Sequence, residues 1–550
     1  MKKRVNLAVL GMAALLLVSL FYCPMEGKAA DVIEGFHGGK GTAKDPYQIA
    51  TVEEFEILRG NGKSDDGYDR CDFLNTYFVL TKDIHYHGKA LPSTSQWGFA
   101  RCHIDGKGHT VSGIRSTDNP LFYRVDETEI TNIGFKDCVL KNTPLISKDI
   151  SNSRLSNITV TKSQFVFDHR NWKDSGDAYG GTLNYGGLAN FSYATKNTNI
   201  TVDGEMKIHG YGFYGMLYGF ARQDCEAKGC KTSGKIKATV LYDKDHKNTL
   251  IGGMIGNNEG RVSNSLNRAK ISVNLPAKDV SCSVAGISGT GSCVDEKKKG
   301  YRYVNCRNQG NIHISSKLNR QERQMVYAAG ISAGYTDGDV KNCKNSGKIT
   351  TRNAYAAAGI VNDLDGSIVN CQNKGRIEAV DTASLAGIVN TAMKKVSGCF
   401  NSGEIKVRQT KIHYDRSGGA AGIVNRGDTD KRNVTIRKCS NSGKITADSK
   451  KWHAYDAAGI VNWLGQTKSH TSTIVHCRNS GTIAGDGWVQ GIVNMSGNWA
   501  VKGPKVWIRS CINTGSLYTK DSGDVMPGIL GYAMNTKVKG CKNKGPIKSR

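Results

Sequence analysis

Five of the seven tryptophans fall between positions 452 and 507: Trp452, Trp463, Trp488, Trp499 and Trp507. An indole beside polar groups suits a sugar ring, whose C–H faces are apolar and whose hydroxyls need hydrogen-bond partners. A second set is cationic. Lys231, Lys235, Arg307, Lys344, Lys348, Arg376, Lys444, Arg478 and Lys542 recur at matched places of a repeated phrase. In register they would form a basic stripe that attracts anionic polymers. The candidate binding residues are therefore Trp452, Trp463, Trp488 and Trp499, together with Lys344, Lys348, Arg376 and Lys444. Each set also has an ordinary alternative: indoles that cover apolar coil surface, and a solvated face whose lysines block edge pairing.

Catalytic text is thinner. A polysaccharide-cleaving site needs paired carboxylates at a set separation, or acidic calcium ligands beside a base. Asp363-Leu364-Asp365-Gly366 is the nearest acidic cluster and reads as a polar turn. His85-Tyr86-His87 puts two imidazoles on one strand face, an exposed polar face before it is a metal site. No nucleophile motif, phosphate loop or metal constellation appears, so no catalytic residue, metal or cofactor is assigned.

These residues hang on one phrase, best preserved from Ala357 to Ile377: AAGIVN DLDGSIVN CQNKGRI. Its second half recurs at Cys230, Cys306, Cys343, Cys371, Cys399, Cys439, Cys477, Cys511 and Cys541, with a degenerate copy at Ser265. From Cys230 to Cys541 there are 311 residues in nine steps, a mean period of about 35 that marks a solenoid. The apolar words Gly-Ile-Val, Ile-x-x-Cys and Gly-x-Ile are three to five residues long, β-branched and bounded by Gly, Asn or Ser. They predict three short strands per turn of an all-β, right-handed parallel β-helix. Ile360, Ile368, Cys371 and Ile377 should point inward and stack on their counterparts in neighbouring coils.

The Asn two places after each Cys (Asn308, Asn345, Asn373, Asn401, Asn441, Asn479, Asn513, Asn543) should form a row of amides bonded along the axis. A second row is expected at Asn362, Asn390, Asn425, Asn462 and Asn494. Gly347, Gly375, Gly403, Gly443 and Gly481 are expected to take φ > 0 at a corner. The spacing from Gly-Ile-Val to the next Cys is 12 residues at Gly359 and Gly387, but 17, 18 and 20 at Gly422, Gly459 and Gly491. The extra length must leave the coil as loops.

In chain order, residues 1–30 read as a secretory signal: Lys2, Lys3 and Arg4, then an apolar run from Leu7 to Phe21, then small residues with cleavage near Ala29 or Ala30. Residues 31–114 hold an N-terminal cap and the first strands, with Thr51-x-x-Glu54 as a capping box and Val52, Phe55 and Leu58 as the apolar stripe of a short helix. Irregular coils occupy 115–250 and regular repeats 251–550, roughly fourteen coils in all. No later apolar run is long enough to span a membrane. The final coil lacks a visible cap, which leaves oligomerisation through that end open.

Gly39-x-Gly41-Thr42-x-x-Asp45-Pro46-Tyr47-x-Ile49, the strand Tyr77–Ile84 and Asp105-Gly106-Lys107-Gly108-His109-Thr110 resemble the start of bacterial surface β-helix proteins with GLUG-type repeats. The coils, with Ala-Gly-Ile-Val and Cys-x-Asn-x-Gly-x-Ile, are similar to the repeats of that group. The resemblance implies export and the β-helix fold. It is uninformative about activity, because such repeats accompany adhesins, surface proteins without assigned activity and some IgA-cleaving metallopeptidases. Those peptidases need His-Glu-x-x-His, and the chain contains no His-Glu pair.

A hydrophobic content of 38% and 65 glycines suit a thin rod with many turns. Beyond residue 30 there are 71 basic and 47 acidic side chains, a net +24 that favours wall polyanions or anionic polysaccharide over nucleic acid, for which no binding motif is present. Sixteen cysteines in an exported chain raise the question of disulfides. Nine lie on the repeat row, where strand spacing holds Cβ atoms wider than the ~3.8 Å a disulfide prefers, so a ladder of buried thiols is expected. Of the off-row residues Cys71, Cys102, Cys225, Cys282 and Cys293, Cys71–Cys102 and Cys282–Cys293 are the pairings considered. The reading that results is an exported, non-enzymatic, adhesin-like β-helix protein, secreted or held at the cell surface. Its partner would be a polysaccharide, a wall polyanion or a host surface protein. The alternative is a polysaccharide lyase or glycoside hydrolase.

Overall fold

The structure, a computed structural model, describes residues 34–60, 73, 75–92, 99–169, 183–241, 248–277, 280–292, 300–317, 325–410, 419–428, 432–449, 455–465, 470–497, 505–519 and 527–549. The expected signal segment, Trp452, Trp499, Cys71 and Cys293 lie outside them, so each considered disulfide includes a residue that is not described.

One coil shows how the phrase folds. Ala356–Ala358, Val361–Asp365, Ile368–Val369, Gln372–Asn373 and Ile377–Val380 are its strands. Each pairs in parallel with its counterpart in the coil before and the coil after. Among the described residues, stacking yields four sheets, numbered in the order the coil visits them. Sheet 1 contains Ala356–Ala358 and has ten strands; sheet 2 contains Val361–Asp365 and has fourteen. Sheet 3 contains Ile368–Val369 and has sixteen; sheet 4 takes two strands from each regular coil and has twenty-six. The chain is a parallel β-helix, as the repeat predicted.

One detail of that prediction is corrected. A coil has five strands on four faces, not three, because the small residues around Gly359 turn the chain between sheets 1 and 2 and Gly375 separates the last two strands. The roughly fourteen coils expected agree with fourteen strands in sheet 2 and sixteen in sheet 3, a rod of roughly 70–75 Å at about 4.8 Å per strand.

The interior is a narrow apolar column. Ile360, Ile368, Cys371 and Ile377 are all at most 1% exposed, and each such isoleucine removed from water contributes about 1.5–3 kcal/mol. The row cysteines from Cys230 to Cys511 are free, buried thiols, and Cys371 Sγ donates to Val369 O at 3.5 Å. Burial pushes the Cys230 thiol up to about 12, which keeps it protonated and inert.

Beside the column runs the asparagine ladder. Nδ2 of Asn267, Asn308, Asn345, Asn373, Asn401, Asn441 and Asn479 each donates to Oδ1 of the next Asn at 2.7–2.8 Å. The same nitrogen's second hydrogen reaches the carbonyl two residues on, as from Asn373 to Gly375 at 3.0 Å. The amides therefore stay satisfied although they are buried. The glycines are not left-handed, contrary to expectation: positive φ falls on the residue before the Cys, as at Asn370 (φ 54°), Asn342 (φ 56°) and Gly398 (φ 63°). Gly375 is required by close approach instead, because a Cβ there would sit 2.1 Å from Gly347 O and 2.7 Å from Asn345 Nδ2.

The helix Val52–Gly60 caps the first coil as predicted. Thr51 Oγ1 accepts the Glu54 amide at 3.2 Å and Glu54 Oε2 accepts the Thr51 amide at 3.1 Å, the reciprocal pair of a capping box. Phe55 and Leu58 are buried, and Arg59 Nε donates to Leu121 O at 3.0 Å, fastening the helix to a later coil.

Candidate binding face

Strand alternation decides which side chains leave the column. On sheet 2, Val461–Leu464 turns Val461 and Leu464 inward and leaves Trp463 half-buried at the surface. Parallel register then sets Thr391, Arg426, Trp463, Met495 and Tyr532 in one outward row. The Arg426 guanidinium lies 4.5 Å from the Trp463 ring centroid, a cation–π contact. Trp488, in the turn before sheet 1's Val489–Gln490, stacks on Tyr532 with centroids 5.6 Å apart and planes at 12°. Tyr532 is 40% exposed. The Trp488 amide donates to Asp456 Oδ1 at 3.1 Å. Burial raises the Asp456 carboxyl to about 6, against the lowering effect of that bond.

Tyr532, with Trp488 stacked on it, thus lies two strand steps from Trp463 along the row, or about 10 Å. Trp507 is not part of it. It faces outward from sheet 3, beneath Arg509 at 4.5 Å and Lys537 at 5.4 Å.

Lys344, Lys348, Arg376 and Lys444 all belong to sheet 4 or its turns, the face separated from sheet 2 by sheet 3 on one side and sheet 1 on the other. Lys348, Arg376, Glu404 and Lys444 each precede an isoleucine of one paired row, so they align, but a glutamate stands among them. Arg376 pairs with Glu378 at 2.5 Å and with Glu404 at 3.1 Å, and Lys348 also pairs with Glu378. The Lys348 ammonium beside Glu378 holds its carboxyl below the usual range. The row after the cysteines reads Arg307, Lys344, Gln372, Phe400, Ser440, Arg478. Positive charge on sheet 4 is therefore interrupted; Arg307, Lys344, Arg376, Lys444 and Arg478 are exposed, and of these Arg376 is engaged by Glu378 and Glu404.

A charged cluster that sequence reading largely missed lies farther along the sheet 2 row, where Tyr335 aligns with Asp363 and Asp363 with Thr391. Asp363 and Asp365 belong to a strand, not a turn. Tyr335 Oη donates to Asp365 Oδ2 at 3.1 Å, and Arg432 pairs with the same carboxylate. Arg426 lies 3.6 Å from Asp428, and Arg302 is 3.1 Å from Asp337. Asp363 Oδ1 is buried without a hydrogen-bond partner. Burial first, then the charges of Asp428 and Asp365, raise its carboxyl to about 6, with Arg426 opposing. Asp428 comes from another coil, so only the stacking of coils brings its charge to Asp363, and register sets Asp337 beside Asp365.

His85 and His87 have ring centroids 5.9 Å apart, and His85 Nδ1 bonds Ser112 Oγ at 2.7 Å. Among the described residues no group of three or more His, Cys, Asp or Glu is arranged to hold a metal ion, and no helix is long and apolar enough to cross a membrane.

No family model and no curated protein matches the chain. Among solved structures, a Bacteroides ovatus protein described as a "putative immunoglobulin A1 protease" aligns over 71% of this chain and 87% of its own, at 13% identity. Its TM-score of 0.28 is too low to bear on fold or activity.

Proposed function

We propose that the chain is an exported, non-enzymatic β-helix protein of the adhesin-like, GLUG-repeat kind that binds glycan along sheet 2. The observation that carries this reading is the Trp488–Tyr532 stack set in one outward row with Met495 and Trp463. Flat, partly exposed rings repeated along a rigid sheet offer apolar faces to successive sugars, and Arg426 and Thr391 supply polar partners beside them. The sheet is held from within by a close-packed column, so the platform is formed before the ligand arrives and little ordering cost is added on binding. Secretion or surface retention is supported by residues 1–30, whose charge and apolar run have the form of a secretory signal.

A second reading, a polysaccharide lyase or glycoside hydrolase, is favoured by one observation: Asp363 combines an unpartnered buried oxygen with a carboxyl raised to about 6 on the same row. A carboxyl of that kind holds a proton near neutrality and can deliver it to a leaving oxygen. The deciding experiment is a glycan array followed by size analysis of every polymer that binds. Binding without shortening is the expected result. Shortening that Asp363→Asn abolishes would replace the binding reading with the enzymatic one.

A further inference from the structure

A cavity of about 340 Å³ opens on sheet 2 far from Trp463 and Trp488, among Arg124, Asp126, Asp149, Phe191, Tyr193 and Arg222. It is built by register. Arg124, Asp149 and Phe191 form one outward row that continues to Phe220, and Asp126, Ser151 and Tyr193 form the next. Tyr193 is 47% exposed, and Phe191 and Phe220 lie 6.0 Å apart with tilted rings.

The charges in its wall are unevenly matched. Asp149 faces Arg124 at 3.6 Å, and Asp126 faces Arg101 at 3.8 Å. Asp126 also accepts hydrogen bonds from Ser151 at 2.7 Å and Asn152 at 3.0 Å. Both carboxylates are thereby occupied within the wall. Arg222 is exposed and pairs with no carboxylate among the described residues; its guanidinium carbon lies 6.0 Å from the Phe220 ring centroid. Glu259 is the acid in its field, and burial pushes that carboxyl up, toward the neutral form. A planar cation with free donors, set against aromatic faces at the rim of a small cavity, fits a carboxylate carried on an apolar ring.

We propose that this cavity binds an acidic sugar unit of the uronate or sialate class, its carboxylate paired with Arg222 and its ring face against Phe191 and Tyr193. The proposal deepens the glycan reading by naming the sugar class. It rests on that reading for the kind of ligand, while the site itself is distinct from the tryptophan platform.

The test is calorimetric titration of the protein with a galacturonate trimer, with sialyllactose and with neutral lactose. At least one acidic ligand should bind tenfold or more tightly than lactose. Arg222→Gln should remove that preference, Arg222→Lys should restore part of it, and Trp463→Ala/Trp488→Ala should leave it intact. Since Arg222 is exposed, an unchanged circular dichroism spectrum is expected for both of its variants. Equal binding of lactose, or acidic binding unchanged in Arg222→Gln, would overturn the proposal. Retained acidic titration with no glycan captured by the tryptophan platform would sink the platform reading and leave the cavity standing; the reverse would sink the cavity alone.

Discussion

Asn373 shows what a single residue must do in this fold. It accepts from Asn345, donates to Asn401 at 2.8 Å and donates to Gly375 O at 3.0 Å, all in the dry interior. Asn373→Leu would strip partners from both neighbouring amides, and each orphaned buried group costs about 1–3 kcal/mol. The expected loss is several kcal/mol in denaturant unfolding, larger than for Asn362→Leu in the second row, where Asn390, Asn425 and Asn494 already have unpaired oxygens. Asp363 predicts a pH effect. Its carboxyl titrates ordinarily at 3.8 and in the fold at about 6. Between those values the folded state holds the extra proton, so its contribution is complete only below 3.8 and is lost as pH rises through about 6. Asp363→Asn should therefore raise stability at pH 7.5, by on the order of 2 kcal/mol, and change little at pH 4. Equal effects at the two pH values in thermal melts would contradict this.

At the scale of elements, the repeat was legible where chemistry forced a strict period. Inward Ile, buried Cys and the Asn two places on all appear as expected, because each must meet its own copy in the next coil. The corner was misplaced. Asn-x-Gly looks like left-handed turn text, yet the left-handed residue precedes the cysteine and Gly375 is small because Gly347 O presses on it. Sequence shows that a glycine is needed but does not distinguish a steric reason from a conformational one. The candidate face was half legible. Clustering of tryptophans pointed to neighbouring coils, but strand parity sends Trp463 out from sheet 2 and Trp507 out from sheet 3, and coils separated by loops of unequal length hide that parity. The thiol ladder carries its own prediction. Iodoacetamide on the native protein, read by peptide mass spectrometry, should label Cys541, which is only half-buried, and spare Cys306 to Cys511. Labelling of the interior row at the same rate would contradict a sealed column.

For the whole molecule, the consequence is a separation of forces. The net positive charge that dominates the composition has its aligned cations on sheet 4, where Glu378 and Glu404 partly offset them, while the aromatic platform stands on sheet 2. One linear ligand lying along the rod therefore meets one surface or the other. Long-range attraction from the net +24 of residues 31–550 should speed encounter with anionic polymers and fade with salt, whereas contacts to aromatic rings should persist. The most direct test is to take a glycan captured on the array and measure its affinity for the wild type, Trp463→Ala/Trp488→Ala and Lys344→Gln/Lys444→Gln at 50 mM and 500 mM salt. The account predicts at least a tenfold loss in the tryptophan variant at both salt concentrations and little change in the lysine variant. A loss confined to the lysine variant, and only at low salt, would contradict it and move the binding surface to sheet 4.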